Sequence, residues 1–272
     1  MQRRAKGTYP NKELIKRGKP GSLAATPIPL VHIAPVGVAR EIVHGKKLEA
    51  RPCKVFGKPL VYFFALRPAF RLRGGDEKSH QINRFPFVFV LSPSALTTPY
   101  HVYPFDTGAA AMGLFDERAD PTIPLEDYEL QANHAGVAAH IGWAFGTLEN
   151  YLDGDLQKDV LKGIPAFEAV TTGYVDIARM ASTGSNLPDK RASAIEVASS
   201  HNIDLKNNVE FAIIPKQYLE DVSANDDFIS RLSALGIEYE TYDWQPNSVP
   251  DHFELEITRI AKARYKKMAL LP

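Results

Sequence analysis

Strand-type runs recur along this chain without the regular strand-helix-strand alternation that builds a parallel sheet, and this order restricts the fold more than any single motif does. Leu30 to Ile33 reads as a short strand. Pro35 then opens a helix in which Val36, Ala39 and Val43 form one apolar face and Gly45 lies near the end. A second strand is predicted over 59–66, where β-branched and aromatic residues run into Arg67-Pro68, and Pro68 holds Arg67 extended at the sheet rim. Further strands are predicted at 85–91, 192–198, 209–215 and 237–244, with a helix at 226–235 stopped by Gly236 and a basic helix at the end. Ser248-Val249-Pro250-Asp251 supplies a capping-box pattern before that last helix. With so few helices between strands, the chain is predicted to be an α+β protein with largely antiparallel sheets. A Rossmann fold is disfavoured, because no Gly-x-Gly-x-x-Gly follows a strand and no Gly-x-x-x-x-Gly-Lys-Ser/Thr occurs.

At 272 residues, 44% hydrophobic and 24% charged, the chain can bury a full core and favours one elaborated domain. No run approaches the roughly 18 apolar residues of a membrane span, and the N-terminus lacks the apolar stretch of a signal peptide. Cys53 is the only cysteine, which excludes an internal disulfide or a cysteine zinc cluster and fits the cytoplasm. The net charge of zero conceals an asymmetry: residues 1–84 hold 18 Lys or Arg against 5 acids, and residues 85–258 hold 9 against 27. Arg259, Lys262, Arg264, Lys266 and Lys267 then close the chain without an acid. Basic ends of this kind often hold nucleic acid. The plainer readings are a solvated tail, or one half of the protein paired electrostatically with the other.

Residues 1–26 read as a flexible basic arm and 27–272 as one domain carrying an insertion at about 93–185. Within the insertion, 93–127 is rich in Pro, Gly and Asp and reads as a long decorated loop, and a helix is predicted over 128–151, weakened by Gly136, Gly142 and Gly146. His134 and His140 diverge on that helix, so no metal site is expected. Ser185, Ser193 and Cys53 lack the surroundings of a covalent nucleophile.

The chemistry-bearing candidates lie on the predicted strands. Alternation along 192–198 sets Glu196 between Ala194 and Ala198 on one face, leaving room for a ligand beside the carboxylate. Its plainer role is a strand-edge glutamate paired with Lys190 or Arg191. Glu210 competes with it, because 209–214 also alternates and would run beside the first strand. His32 could hydrogen-bond a ribose or a carboxamide, or be a satisfied core histidine. Tyr62 could stack on a flat ring or fill the core.

Taken together, the His32 strand and helix, Tyr62-Phe63-Phe64-Ala65-Leu66-Arg67-Pro68 and Arg191-Ala192-Ser193-Ala194-Ile195-Glu196-Val197 resemble the order in ADP-ribosyltransferases, nearest to the DarT-like bacterial toxins that modify nucleic acid. The resemblance covers roughly 28–72 and 190–220. It implies a fold of split antiparallel sheets and the use of NAD as cofactor. His32 would hold the nicotinamide ribose, with Tyr62 beside the cofactor; Arg67 would orient NAD and assist transfer; Glu196 would be the catalytic glutamate, with Glu210 as the alternative. The implied activity is transfer of ADP-ribose to nucleic acid, RNA or DNA, by a toxin or anti-phage effector with an antitoxin protein as a further partner. An RNA 2′-phosphotransferase and a non-enzymatic binding protein are the competing classes.

Overall fold

The computed structural model describes residues 1–4, 10–18, 23, 25–72, 75–182, 189–220 and 222–272, without the side chains of 222–226. Residues 5–9, 19–22 and 24 of the expected arm, with Gly74 and Ser185, lie outside the described residues. In chain order the elements are α1 (Glu13–Arg17), β1 (Leu30–Pro35), α2 (Val36–Gly45), β2 (Lys47–Leu48), β3 (Arg51–Cys53), β4 (Lys58–Ala65), β5 (Pro86–Leu91) and β6 (His101–Tyr103). There follow α3 (Thr107–Ala111), α4 (His134–Ala144), α5 (Leu148–Asp153), α6 (Ala169–Arg179), β7 (Glu196–Ser199), β8 (Ile203–Asp204), β9 (Val209–Pro215), α7 (Gln217–Glu220), α8 (Val222–Ala234), β10 (Glu238–Tyr242) and α9 (Glu254–Lys267).

The protein is α+β, as the order of strand-type runs implied, with one sheet in the order β10-β9-β5-β1-β4-β7-β6 and β3 paired to β4 at the side. Every pairing in it is antiparallel except β9 with β10. β5 lies near the middle of the β10–β1 half, and its Phe87, Val88, Phe89 and Val90 are all fully buried, so both faces of the sheet are covered. Strand alternation separates the two faces. Phe87 and Phe89 point toward α8, where Phe87 meets Phe228 edge-on at 6.0 Å, and Val36, Ala39 and Val43 bury the apolar stripe of α2. On the other face Phe211, which is paired with Val90, packs against Tyr265 of α9 at 6.0 Å.

Three expectations fail for local reasons. The segment 93–127 is more than a loop, because His101-Val102-Tyr103 pairs with β7 as the edge strand β6, and Asp106 caps α3 by accepting from the Ala109 N–H at 2.8 Å. The helix predicted over 128–151 breaks into α4 and α5 at Gly146, whose φ of +78° is left-handed. No capping box forms at 248–251: Asp251 instead accepts from the Leu72 N–H at 3.0 Å and pairs with Arg71 at 3.5 Å.

The described part of residues 1–26 is laid along the acidic insertion. Arg3 pairs with Glu126, Arg4 with Asp127, Lys12 with Glu129, and Arg17 with Glu168 at 2.6 Å, while Leu14 of α1 is buried. At the other end Lys262 pairs with Glu149 at 2.8 Å and Asp153 at 3.1 Å, Arg264 with Glu238, and Lys267 with Glu240 at 3.7 Å. The charge asymmetry is therefore largely internal, basic ends against acidic middle. Arg4→Ala leaves the nearly buried Asp127 carboxylate with the Asn11 N–H as its other partner. It is expected to cost about 1–3 kcal/mol, a fall in Tm of roughly 2–10 °C by thermal unfolding.

Candidate functional site

The site begins where the sheet splits. β1 and β4 pair only at Leu30 with Ala65 and Val31 with Phe64, after which β1 stays with β5 as far as Pro35 and β4 stays with β3 and β7. The separation frees backbone groups that a continuous ladder would satisfy, and the His32 ring takes one of them, Nδ1 donating to the Tyr62 carbonyl at 2.9 Å. Burial pulls the His32 pKa below its ordinary value. The ring is thus neutral with its proton on Nδ1, and Nε2 keeps a lone pair for an incoming hydroxyl or amide.

Two cavities meet at this split and share His32, Ile33, Cys53 and Tyr62 in their walls. One, of about 480 Å³, is mainly apolar and lies toward α2, walled by Val38, Ile42, Leu48 and Leu60. The other, of about 300 Å³, lies on the α9 side and carries the charge: Glu196, Asp106, Arg71 and Arg191. Register accounts for the second wall. Phe64 opposes Glu196, which opposes Tyr103, and Tyr62 opposes Ala198, which opposes His101, so all these side chains leave one face of the sheet.

Glu196 is 3% exposed and surrounded by donors. Thr107 supplies its backbone N–H to Oε2 at 3.0 Å and its hydroxyl to Oε1 at 2.7 Å, and His101 Nε2 donates to Oε1 at 3.1 Å. Burial raises the Glu196 pKa well above the usual carboxylate range and the Asp106 charge raises it further, with the Thr107 bonds opposing both. His101 is pushed down to about 4 by burial, so its contact with Glu196 is a hydrogen bond from a neutral ring rather than an ion pair. The donors that fix Glu196 come from the insertion, since β6 brings His101 and the first turn of α3 brings Thr107.

The sequence-derived candidates are not all together. Glu196, His32 and Tyr62 line the cleft, and Tyr62 donates its hydroxyl to Cys53 Sγ at 2.8 Å. Glu196 is the first residue of β7 rather than the middle of a strand over 192–198, because Lys190–Ser193 forms a 3-10 turn. Glu210 is exposed on β9, which does not run beside β7 but is separated from it by β5, β1 and β4. Arg67 does not reach the cleft. It is 1% exposed, its Nη1 donates to Ser193 Oγ at 2.6 Å and to the Ser193 carbonyl at 3.2 Å, and its guanidinium lies 5.8 Å from the centre of the Tyr151 ring. Leu66, held at φ +57° with its N–H on the Pro29 carbonyl, turns the chain so that Arg67 points inward.

Among the described residues, the cations in the charged arm are Arg71, four residues on, and Arg191, which is held by Asp189 at 3.0 and 2.8 Å, while Arg51 lines the apolar arm. Sequence reasoning did not select them, nor His101, Asp106 and Thr107. The available signals were the short β-type run His101-Val102-Tyr103 and the Asp106-Thr107 cap pattern, both inside a stretch read as loop. His134, which donates through Nε2 to the Pro93 carbonyl at 2.8 Å, and His140, buried against Tyr174, are remote from this wall.

Tyr151 shows how the wall is braced. Its hydroxyl accepts from the Ile195 N–H at 2.8 Å, one residue before Glu196, and Arg67 lies against its ring. Tyr151→Phe strands that buried N–H and is expected to cost about 1–3 kcal/mol, measurable as a shift in denaturant midpoint at unchanged m.

No family model and no curated protein matches this sequence. Among solved structures, the fold is similar to that of DarT from Thermus sp. 2.9 in complex with NAD+, with a TM-score of 0.41 at 10% identity, over 79% of this chain and 96% of that one. At that distance no residue role or activity is carried across. Among the described residues no helix is long and apolar enough to cross a membrane. The protein is thus a mixed α+β chain whose mostly antiparallel sheet is split around a cleft with an apolar arm and a charged arm.

Proposed function

We propose that this protein cleaves the nicotinamide-ribose bond of NAD and transfers the ADP-ribose to a macromolecular acceptor. The observation that carries the reading is Glu196, a buried carboxylate fixed by three donors on the wall of a cleft that passes through a split antiparallel sheet. It agrees with the sequence resemblance to ADP-ribosyltransferases at 28–72 and 190–220. The combined cavities fall in the size range of cofactor sites. The apolar arm suits a flat heteroaromatic ring, the His32 Nε2 lone pair suits a ribose hydroxyl, and Arg71 and Arg191 give positive charge for a pyrophosphate in the role first expected of Arg67. In such a site Glu196 in its ionised form offsets positive charge developing on the ribose, most strongly where water is excluded.

Nucleic acid is the acceptor class we favour, and the toxin or defence role is part of the same proposal. With the chain ends paired internally, the support moves to the β3–β4 hairpin at the cleft mouth. Arg51, Lys54 and Lys58 are exposed there with no ion-pair partner among the described residues, and Lys58 lies 4.2 Å over the ring of the part-exposed Tyr100. Cations interleaved with an exposed aromatic ring suit a single strand. The test is transfer of label from adenine-labelled NAD to RNA, DNA and protein by the purified chain. Replacing Lys54 and Lys58 together by alanine is expected to weaken binding of a single-stranded oligonucleotide and to flatten its log-log salt dependence by about 1.4, while nicotinamide release stays near the unmodified rate. An unchanged salt slope removes the hairpin from the proposal, and label on protein alone removes nucleic acid.

A further inference from the structure

The charged arm of the cleft holds a second carboxylate. Asp106 precedes Thr107, so one turn of chain delivers both the donors that fix Glu196 and another acid to the same wall. The two carboxylates are equipped differently. Both Glu196 oxygens are engaged by close donors, whereas among the described residues the Asp106 side chain, 17% exposed, has only Oδ1 bound closely, to the Ala109 N–H at 2.8 Å. Its Oδ2 faces Arg191 Nη1 at 3.5 Å, too far for a strong charge-assisted bond. A helix cap alone needs Oδ1; Oδ2 keeps lone pairs on a wall of the cleft.

On the reading that the cleft transfers ADP-ribose, we infer that the two acids divide the work: Glu196 is the fixed counter-charge to the sugar, and Asp106 is the base that takes the proton of the attacking group. The balance closes. The ribose C1–nitrogen bond breaks with its electron pair going to nicotinamide, which leaves neutral. The acceptor O–H or N–H forms the new bond to C1, and its proton passes to Asp106 Oδ2. The groups that set the titration of Asp106 are Arg191 opposite Oδ2, Asp189 behind Arg191, and Glu196 and Tyr62 across the cleft. Burial, the largest influence, raises the Asp106 pKa toward the range in which a carboxylate serves as a base near neutrality, with Arg191 opposing it.

The experiment is nicotinamide release from NAD by the full chain across pH 5–9, with water as the acceptor and then with added azide, a nucleophile that has no proton to lose. Asp106→Asn and Asp106→Ser both preserve a good helix cap and are expected to keep Tm within a few degrees. Both are expected to slow release about 10²-fold in water and to lose the acid limb of the pH profile. Azide should restore their rate and give azido-ADP-ribose, and should not restore Glu196→Gln. Wild-type rates in both Asp106 variants, or no rescue by azide, overturn the role of Asp106 and leave the transferase reading standing. No nicotinamide release from the unmodified protein overturns both.

Discussion

Glu196→Gln is expected to cut nicotinamide release from NAD by about 10²–10³-fold, while Glu210→Gln leaves it near the unmodified rate. The first change removes the group that carries negative charge in its ionised form from a water-excluded wall and keeps the side chain's shape. The second alters an exposed position on a strand remote from the cleft. Equal loss in the two variants, or none in either, removes Glu196 from the mechanism. The same variant carries a stability signature independent of NAD. A carboxyl whose folded pKa is raised holds its proton more tightly in the folded state, so its effect on stability turns unfavourable as pH rises from the unfolded value of about 4.3 toward the folded one. Glu196→Gln should therefore gain Tm over the parent as pH rises from 5 to 9, with the difference vanishing on the acid side. A difference that does not change with pH would mean that Glu196 does not titrate with a raised pKa in the folded protein.

Arg67→Ala is expected to act on the whole protein rather than on cofactor affinity, with a loss of about 3–5 kcal/mol and a fall in Tm of roughly 6–15 °C. The guanidinium is buried with Ser193 and Tyr151, and its removal leaves the Ser193 hydroxyl and carbonyl without their donor and opens a void under the Tyr151 ring. Gly154 belongs to the same packing: at φ +88° it leaves no room for a Cβ, which would stand 2.8 Å from Arg67 Nη2. Through Ser193 and the Tyr151–Ile195 bond, this cluster holds the chain that enters β7 at Glu196. On the proposed reading of the cleft, Arg67 then acts on Glu196 through this packing and not on the cofactor. Arg67→Lys should recover little, since an ammonium group lacks the flat guanidinium that fills the space beside the Tyr151 ring and is harder to strip of water. A folded, fully stable Arg67→Ala protein with a selectively raised KM for NAD would return Arg67 to the cofactor.

Local patterns were read well where the local rule is also the tertiary one. The apolar run at 85–91 becomes β5, buried on both faces, and Pro35 marks the start of a helix whose Val36, Ala39 and Val43 are all buried. The strand at 59–66 is β4 shifted by one residue, and alternation along it does put Tyr62 toward the cleft and Phe63 away from it. Reasoning from neighbours failed where two segments distant in sequence meet. Nothing in 93–127 announces an edge strand, because His101-Val102-Tyr103 is three residues long and becomes a strand only when β7 presents its ladder. Arg67 at the end of a strand looked like a rim cation, but the left-handed Leu66 reverses its direction, a feature no propensity encodes for leucine.

What this sequence determined by itself was its class and its separable parts: an α+β chain, the strands that carry His32, Tyr62 and Glu196, and a charge distribution split between basic ends and an acidic middle. Those follow from periodicity, turn chemistry and counts, which act over a few residues or over the whole composition. Only the tertiary structure decided that the described basic ends pair with the protein's own acids, those of the insertion and, for Arg264 and Lys267, Glu238 and Glu240 of β10, and that Glu196 rather than Glu210 faces the cleft. It also replaced Arg67 there with Arg71 and Arg191. Register between strands is set by which faces can be buried together, and a carboxylate acquires its character from donors such as Thr107 and His101 that lie some ninety residues away along the chain.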